Sequence, residues 1–168
     1  MRAAGLDRYR VVEFATHGLV AGDLTGLAEP ALVLTPPRVA SAENDGLLTA
    51  SKIATLKLNA EWVVLSGCNT GASDGTPGAQ GLSGLAKAFF YAGSRSVLVS
   101  HWPVVSDAAV KLTTGAFAAL ARAPGIGRAE ALRRSEVALM DDETLLTQFA
   151  HPMMWGAFSL AGEGGAGR

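Results

Sequence analysis

Four short and continuously apolar runs constrain the fold of this chain more than any other feature of its sequence. They cover residues 10–16 (RVVEFAT), 61–67 (EWVVLSG), 95–102 (RSVLVSHW) and 155–162 (WGAFSLAG), and each is predicted to be a strand. Their hydrophobicity is continuous rather than alternating, so both faces of each strand are expected to be buried, as in a parallel sheet covered by helices. A weaker run over 30–37 has proline on both sides, which predicts an edge strand or a protruding hairpin.

Helical patterns lie between these runs. Residues 49–58 begin with a threonine that can cap a helix, and residues 81–93 carry an apolar stripe that ends at Gly93, a residue suited to a left-handed helix stop. Two further helices are predicted over 106–122 and 127–140. The alternation of strands and helices predicts an α/β fold with a mostly parallel central sheet and right-handed crossovers.

Composition limits the class of protein. Of the 168 residues, 49% are hydrophobic and only 17% are charged, and the formal net charge is -1, which argues against a disordered chain and against a nucleic-acid binder that works through bulk charge. A single cysteine cannot form an internal disulfide, and the start of the chain lacks the pattern of a signal peptide. No apolar stretch reaches the roughly 18 residues that span a bilayer. We therefore expect a cytoplasmic protein with neither a nucleic-acid nor a membrane partner.

The two ends of the chain differ from its middle. The stretch MRAAGLDRYR leads almost at once into the first predicted strand, with no helix or strand in front to cover it, so we expect that one or more N-terminal strands of the fold are missing. The last residues, GGAGR, are small and rich in glycine. The sequence thus predicts one domain over residues 1–163 and a flexible tail over 164–168.

A histidine and the only cysteine directly follow two of the predicted strands. His17 stands in ATHG after the first strand, and Cys68 stands in SGCNTG after the second, 51 residues later. Because sequential parallel strands are often neighbours, both side chains are expected to face one crevice at the carboxyl end of the sheet. A histidine can activate the thiol, whose thiolate is the nucleophile, and can then protonate a leaving amine. The backbone amides of Gly18 and Cys68 would be free to stabilise an oxyanion.

Judged from the sequence pattern alone, His17 and Cys68 also allow less specific interpretations. A lone cysteine after a strand is more often an inert core residue, and a histidine in a turn is often held by backbone groups. His101 and His151 are weaker candidates, since the first is expected to point into a neighbouring layer and the second to lead into the last strand. One cysteine and three scattered histidines cannot form a zinc site, and residues 71–81 match no phosphate-binding pattern, so no metal and no other cofactor are expected.

Five motifs occur in the order of a known family. They are VVEFATHG (11–18), DGLLTASKIATLKLNAEWVVLSGCNTG (45–71), QGLSGLAKAFFYAGSRSVLVSHWPVVSDAA (80–109), RAEALRRSEVAL (128–139) and HPMMWGAFSLAGE (151–163). Together they resemble the CHAT domain, a caspase-like and separase-like cysteine peptidase module, from about residue 10 to residue 163. The interval between His17 and Cys68 also agrees with the spacing in caspases.

The resemblance implies a caspase-like three-layer sandwich, with a mostly parallel central sheet between helices, and the activity of a cysteine endopeptidase, a hydrolase that uses no cofactor. His17 and Cys68 would form its catalytic dyad, and the amides of Gly18 and Cys68 would bind the oxyanion. Attack would yield a thioester acyl-enzyme that water hydrolyses. The partner would be a protein substrate, and helical repeats upstream in a longer protein would regulate the peptidase.

The resemblance also implies a pocket for the residue before the cleaved bond, which is basic for separase-like members. Trp102 is a candidate wall of this pocket, and Asp107, Asp23 and Asp74 are candidate acids, although Asp107 is alternatively the cap of the helix over 106–122. A different hypothesis is a catalytically inactive caspase-like module that binds a partner protein through its sheet edge or rim loops. A third, an amidase or acyl transferase, is disfavoured because its histidine usually follows the cysteine.

Overall fold

The computed structural model describes residues 5–41, 44–67, 70, 84–142 and 151–166. Its strands are β1 (Val11–Phe14), β2 (Gly18–Leu19), β3 (Ala31–Val33), β4 (Leu47–Thr49), β5 (Trp62–Leu65), β6 (Ser96–Ser100) and β7 (Phe158–Gly162). Its helices are α1 (Ala50–Ala54), α2 (Gly84–Tyr91), α3 (Ser106–Arg122), α4 (Arg128–Met140) and α5 (Pro152–Trp155), and a 3-10 turn covers Leu6–Arg8. None of these described helices is long and apolar enough to cross a membrane.

The central sheet has the strand order β1-β5-β6-β7. Strands β1, β5 and β6 are parallel, with Phe14 beside Leu65 and Val64 beside Leu98, whereas β7 runs antiparallel to β6. All four predicted strands are therefore confirmed, as is a mixed α/β fold in which helices flank a mostly parallel sheet. Within the described part of the chain, β1 pairs on one side only and forms an edge of this sheet.

Both faces of β5 are buried, as predicted, but β1 and β7 at the ends of the sheet carry exposed residues, so the expected burial on both faces is wrong for these two strands. Val63 and Leu65 belong to one core, which they share with residues of α1 and α2, while Trp62 and Val64 belong to a second core with residues of α3 and α4. The rings of Trp62 and Phe117 lie 5.0 Å apart in the second core. Burial of a large apolar side chain contributes about 1.5–3 kcal/mol to stability, so this strand anchors both helical layers to the sheet.

A second, smaller sheet has the strand order β2-β3-β4 and is antiparallel throughout. The run over 30–37 forms its central strand, β3, rather than an edge, and Ala31 and Leu32 are fully buried. The flanking prolines lie outside the paired residues of β3, so they do not interrupt its hydrogen bonds. The predicted edge position is therefore wrong, whereas the alternative of a hairpin agrees with the antiparallel pairing of β3 outside the central sheet; the two partner strands of β3 were not predicted.

Two helix ends follow the local signals in the sequence. Thr49 Oγ1 accepts a hydrogen bond from the amide of Lys52 at 3.4 Å, which confirms the cap at the start of α1. The helix is shorter than predicted and ends at Ala54. Gly93 has a φ of 105°, which confirms the left-handed stop after α2.

Helix α3 covers residues 106–122 as predicted, but its capping residue differs from the prediction. The amide of Ala109 donates to the carbonyl oxygen of Val105 at 3.0 Å, so Val105 is the cap and Asp107 already lies inside the first turn. Asp107 is exposed there, where a negative charge is favourable near the positive end of the helix dipole. The assignment of Asp107 as the cap is therefore wrong.

The contacts between the glycine-rich end and the domain extend to later residues than the sequence predicts. The carbonyl oxygens of Gly164 and Gly165 accept hydrogen bonds from the amides of Ala129 (3.0 Å) and Arg128 (3.4 Å) in the first turn of α4. A helix leaves its first amides without partners inside the helix, and these two carbonyls supply such partners. Gly164 and Gly165, which the sequence assigns to a flexible tail, thus contact the folded domain.

Candidate active site

The turns after β1 and β5 lie side by side, because these parallel neighbours end in register at Phe14 and Leu65. His17 lies in the turn after β1, where its side chain is exposed and its carbonyl oxygen accepts a hydrogen bond from the amide of Val33 at 2.9 Å. Gly67 lies in the turn after β5. The expectation that the two strand ends share one edge of the sheet is confirmed.

Gly67 touches the backbone of the turn that contains His17. A Cβ atom at Gly67 would lie 1.9 Å from the carbonyl oxygen of Thr16 and 3.2 Å from the amide nitrogen of Gly18. The first distance is far below any contact that a real Cβ makes, so only glycine fits here without a backbone shift. The two turns are therefore in direct backbone contact.

The amide nitrogen of Gly18 lies beside this contact, 3.2 Å from the place where a Cβ of residue 67 would stand. Because the amide of Val33 donates to the carbonyl oxygen of His17, His17 and Val33 form a hydrogen-bonded pair of the β2–β3 ladder, and the next pair, Gly18 with Leu32, is a non-hydrogen-bonded one. In such a pair the N–H group is directed away from the partner strand, so the N–H of Gly18 is not directed at β3.

A cleft of about 300 Å³ opens between these two turns and the start of α3. His17 and Gly67 line it together with Ser106 and Val110 of α3, and Glu13 supplies the only carboxylate among its described lining residues. Glu13 was missed as a site residue because it stands inside an apolar strand pattern, although a charged residue in a run that is otherwise apolar was a usable signal. Its side chain places negative charge in the cleft that contains His17.

Hydrogen bonds from β6 hold both ends of the segment from Gly67 to Thr70. Ser100 Oγ donates to the carbonyl oxygen of Gly67 at 2.5 Å, and the amide of Ser100 donates to Thr70 Oγ1 at 2.9 Å. Ser100 and Thr70 are both fully buried. Cys68, the predicted nucleophile and oxyanion amide, follows Gly67 in the sequence but lies outside the described residues, as does Asp74.

Comparison with known proteins identifies the family. The family model described as "CHAT domain" matches residues 1–163, which is almost the entire chain. The chain belongs to the CHAT domain family. Tetratricopeptide repeat protein 28 of Mus musculus is 35% identical over 121 residues, covering 69% of this chain and 4% of that protein. The Homo sapiens protein of the same name is 27% identical over 186 residues, covering 95% of this chain and 7% of that protein. The chain thus spans less than a tenth of the length of these relatives.

Three of the predicted pocket residues of this CHAT domain do not line the cleft. Trp102 is half-buried, and its indole N–H donates to the carbonyl oxygen of Met153 at 2.9 Å, so it packs against α5. Asp23 accepts a hydrogen bond from the amide of Val20 at 2.8 Å and closes its own turn. Asp107 lies on the exposed first turn of α3. The described lining of the cleft therefore contains Glu13 together with His17 and none of these three residues.

The other two histidines of the CHAT domain have local structural roles. His101 is exposed, with its Nε2 at 2.8 Å from Ser159 Oγ, so it does not point into a neighbouring layer as predicted. His151 Nδ1 accepts a hydrogen bond from the amide of Met153 at 3.1 Å and caps α5, a helix that was not predicted. Within the described ranges, no group of three or more acidic or metal-ligating side chains could hold a metal ion.

Proposed function

We propose that this CHAT domain is a cysteine endopeptidase in which Cys68 is the nucleophile and His17 is its proton-transfer partner. The observation that carries the proposal is the backbone contact between Gly67 and the turn of Thr16, His17 and Gly18. Cys68 directly follows Gly67 in the sequence, and the amide nitrogen of Gly18 is 3.2 Å from the place of a Cβ at Gly67. A histidine, a cysteine and an amide donor at two adjacent strand ends would make up the machinery for acyl transfer.

The proposed reaction has two steps. The thiolate Sγ of Cys68 attacks the peptide carbonyl carbon, a C–S bond forms, and the carbonyl electron pair moves to the oxygen, which accepts a hydrogen bond from the N–H of Gly18. The C–N bond then breaks as His17 gives a proton to the leaving amine. Next, His17 takes a proton from water, the resulting hydroxide attacks the thioester, and the C–S bond breaks to release the acid and restore the thiolate.

The charge in the cleft supports a substrate with a basic residue before the cleaved bond. Glu13 shares the cleft with His17, and no lysine or arginine lies among the described residues that line it. We also propose that the full-length protein carries helical repeats that present the substrate or regulate the peptidase. The names of the relatives, which are tetratricopeptide repeat proteins, support this second part.

A thiol-directed probe tests the proposed peptidase. A peptide with a basic last residue and an acyloxymethyl ketone, which captures activated cysteines, should label the folded wild-type protein at Cys68 and should not label the Cys68→Ala variant. As a control, urea-unfolded wild type should lose the labelling, because a thiol outside its site is not activated. Equal labelling of folded and unfolded protein, together with no cleavage of a basic-residue peptide library by the full-length protein, would contradict the proposal.

A non-catalytic protein-binding module is the second candidate, and the open edge of β1 favours it. Val11 is 42% exposed, and a cavity of about 390 Å³, lined in part by Val11, Arg10 and Leu120, adjoins this edge. Exposed strand edges pair readily with an added strand. In this case the Cys68→Ala variant should bind the same partners as the wild type in an affinity capture from cells, whereas Val11→Pro, which removes a backbone donor from the edge, should bind them less.

A further inference from the structure

Two buried hydroxyl groups join the last residue of β6 to the segment that follows β5. Ser100 and Thr70 each have 0% exposure. Among the described residues, five hydrogen bonds connect them to each other and to the end of β5: Ser100 Oγ to the Gly67 carbonyl (2.5 Å), Thr70 Oγ1 to the Leu65 carbonyl (3.3 Å), the Ser100 amide to Thr70 Oγ1 (2.9 Å), the Thr70 amide to Ser100 Oγ (3.3 Å), and one between the two hydroxyls (3.3 Å) in which either can donate. We name these contacts the Ser100–Thr70 network.

The hydroxyls of the Ser100–Thr70 network can both be satisfied. When each hydroxyl gives its single hydrogen to a carbonyl oxygen of the β5 segment, each hydroxyl oxygen accepts from the amide of the other residue; the contact between the two hydroxyls also lets one donate to the other. Both hydroxyls are therefore satisfied as donors and as acceptors. A buried polar network that is fully satisfied holds its members in one geometry, and the loss of one hydroxyl leaves a buried carbonyl without its partner.

The network fixes the two residues on either side of Cys68 and Asn69. Gly67 is held by Ser100 and also by its backbone contact with Thr16, and Thr70 is held by both Ser100 and Leu65. Gly67 and Thr70, which stand on either side of Cys68 and Asn69 in the sequence, are thus both tied to β6.

We infer that Ser100 is a positioning residue, which acts through Gly67 and Thr70, the described residues on either side of Cys68 and Asn69 in the sequence, to favour the reactivity of the Cys68 thiol. The inference rests on the proposed role of Cys68 as the nucleophile. Ser100 lies on a third strand that contributes no group to the proposed chemistry, so it touches neither the substrate nor the reacting atoms in this scheme. Its effect on the reaction comes from the placement of the thiol.

The test measures the reactivity of the thiol directly. Because Cys68 is the only cysteine, the mass increase with iodoacetamide reports on this residue alone. We expect Ser100→Ala to slow alkylation of the folded protein at pH 7 by about tenfold and to shift the pH profile of the rate toward that of an ordinary thiol, which titrates near pH 8.5. Misplacement of a catalytic group by about 1 Å costs up to a hundredfold in rate, so kcat for peptide cleavage should fall by a similar factor with KM unchanged.

Ser96→Ala is the matched control. Ser96 lies at the other end of β6, is equally buried, and donates from its hydroxyl to a carbonyl oxygen of the neighbouring chain segment, that of Glu61, at 2.7 Å. Loss of the Ser96 hydroxyl should lower the stability of the fold about as much as Ser100→Ala does, and the pH profile of the alkylation rate at Cys68 should not change. A second pair checks the network from its other side: Thr70→Val, which keeps the shape but not the hydroxyl, should slow alkylation, and Thr70→Ser should restore it.

The outcomes separate this inference from the proposed function. If wild-type Cys68 reacts faster than in the unfolded chain, and Ser100→Ala leaves its rate and pH profile unchanged or changes them no more than Ser96→Ala does, the positioning role is overturned. If Ser100→Ala slows the thiol but the wild-type full-length protein cleaves no peptide, the peptidase fails and the positioning role stands. If the wild-type thiol reacts no faster than in the unfolded chain, both fail.

Discussion

The backbone of Gly67 lies against the carbonyl oxygen of Thr16, so closely that a Cβ atom at position 67 would stand 1.9 Å from that oxygen. This contact joins the two chain segments that leave β1 and β5 at the same edge of the central sheet. It brings the residue before His17 together with the residue before Cys68, and it depends on the absence of a side chain at Gly67.

Replacement of Gly67 by alanine should therefore separate the two turns. The added methyl meets a backbone carbonyl that cannot rotate away, so we expect a loss of about 1–3 kcal/mol in the free energy of unfolding and a loss of thiol activation. Urea denaturation and the labelling assay at Cys68 measure the two effects. Gly125→Ala is the control, since nothing lies within 4 Å of a Cβ at Gly125, and it should leave both quantities unchanged. Equal behaviour of the two variants would show that the contact is not needed.

The replacement of His17 by alanine should separate catalysis from stability. Its side chain is exposed, so the free energy of unfolding should change by less than about 0.5 kcal/mol. Peptide cleavage should fall by about a hundredfold or more, because a proton-transfer group is lost. His101→Ala, which removes another exposed histidine at the end of β6, should leave cleavage intact. The role assigned to His17 is lost if both variants retain wild-type kcat.

Glu13→Gln should weaken the preference for basic substrates. An exposed ion pair is worth up to about 1 kcal/mol, so kcat/KM for a peptide with arginine before the cleaved bond should fall by about fivefold, while a peptide with glutamine there should be cleaved as before. Asp23→Asn serves as the comparison, because the carboxylate of Asp23 accepts a hydrogen bond from Val20 within its own turn. A drop in selectivity with Asp23→Asn and none with Glu13→Gln would locate the pocket elsewhere.

The acid stability of the domain should depend on Glu61. The side-chain hydrogen bond from Arg10 holds the pKa of Glu61 below its ordinary value, and the positive charges of Arg10 and Arg128 act in the same direction. A carboxyl group whose pKa is lowered in the folded state stabilises the fold at any pH above its ordinary pKa in the unfolded chain. This contribution is lost as the pH falls through the lowered pKa. Wild type should therefore lose more stability than Glu61→Gln when urea midpoints at pH 7 and at pH 3 are compared.

Glu136 should change the pH dependence of stability in the direction opposite to that of Glu61, and the same urea midpoints measure it. Burial raises the pKa of Glu136, so its contribution is fully present below the ordinary value and is lost as the pH rises through the raised pKa. Glu136→Gln, which stays neutral, should gain stability relative to wild type at pH 7 and not at pH 3. A similar pH dependence for the Glu61 and Glu136 variants would contradict both assignments.

Much of the fold could be predicted from local patterns. The strands β1, β5, β6 and β7 coincide with apolar runs, and in β5 and β6 the reason is burial on both faces, which requires every residue of a short segment to avoid water. The stop after α2 follows from Gly93, since few other residues adopt its φ of 105°. Strands β2 and β4 could not be predicted in this way, because segments of two and three residues are too short to show a period.

For the candidate site too, some residues could be predicted from the sequence and others only from the tertiary structure. By itself the sequence determined that His17 follows one buried strand and Cys68 another, because each residue adjoins an apolar run. Only the tertiary structure decided that Glu13 lines the same cleft as His17, that Trp102 and Asp23 do not, and that Ser100 holds the segment after β5. The physical reason is that contacts between strands depend on their order and register in the sheet, and a serine in an apolar run has the same sequence pattern whether its hydroxyl meets solvent or a buried carbonyl.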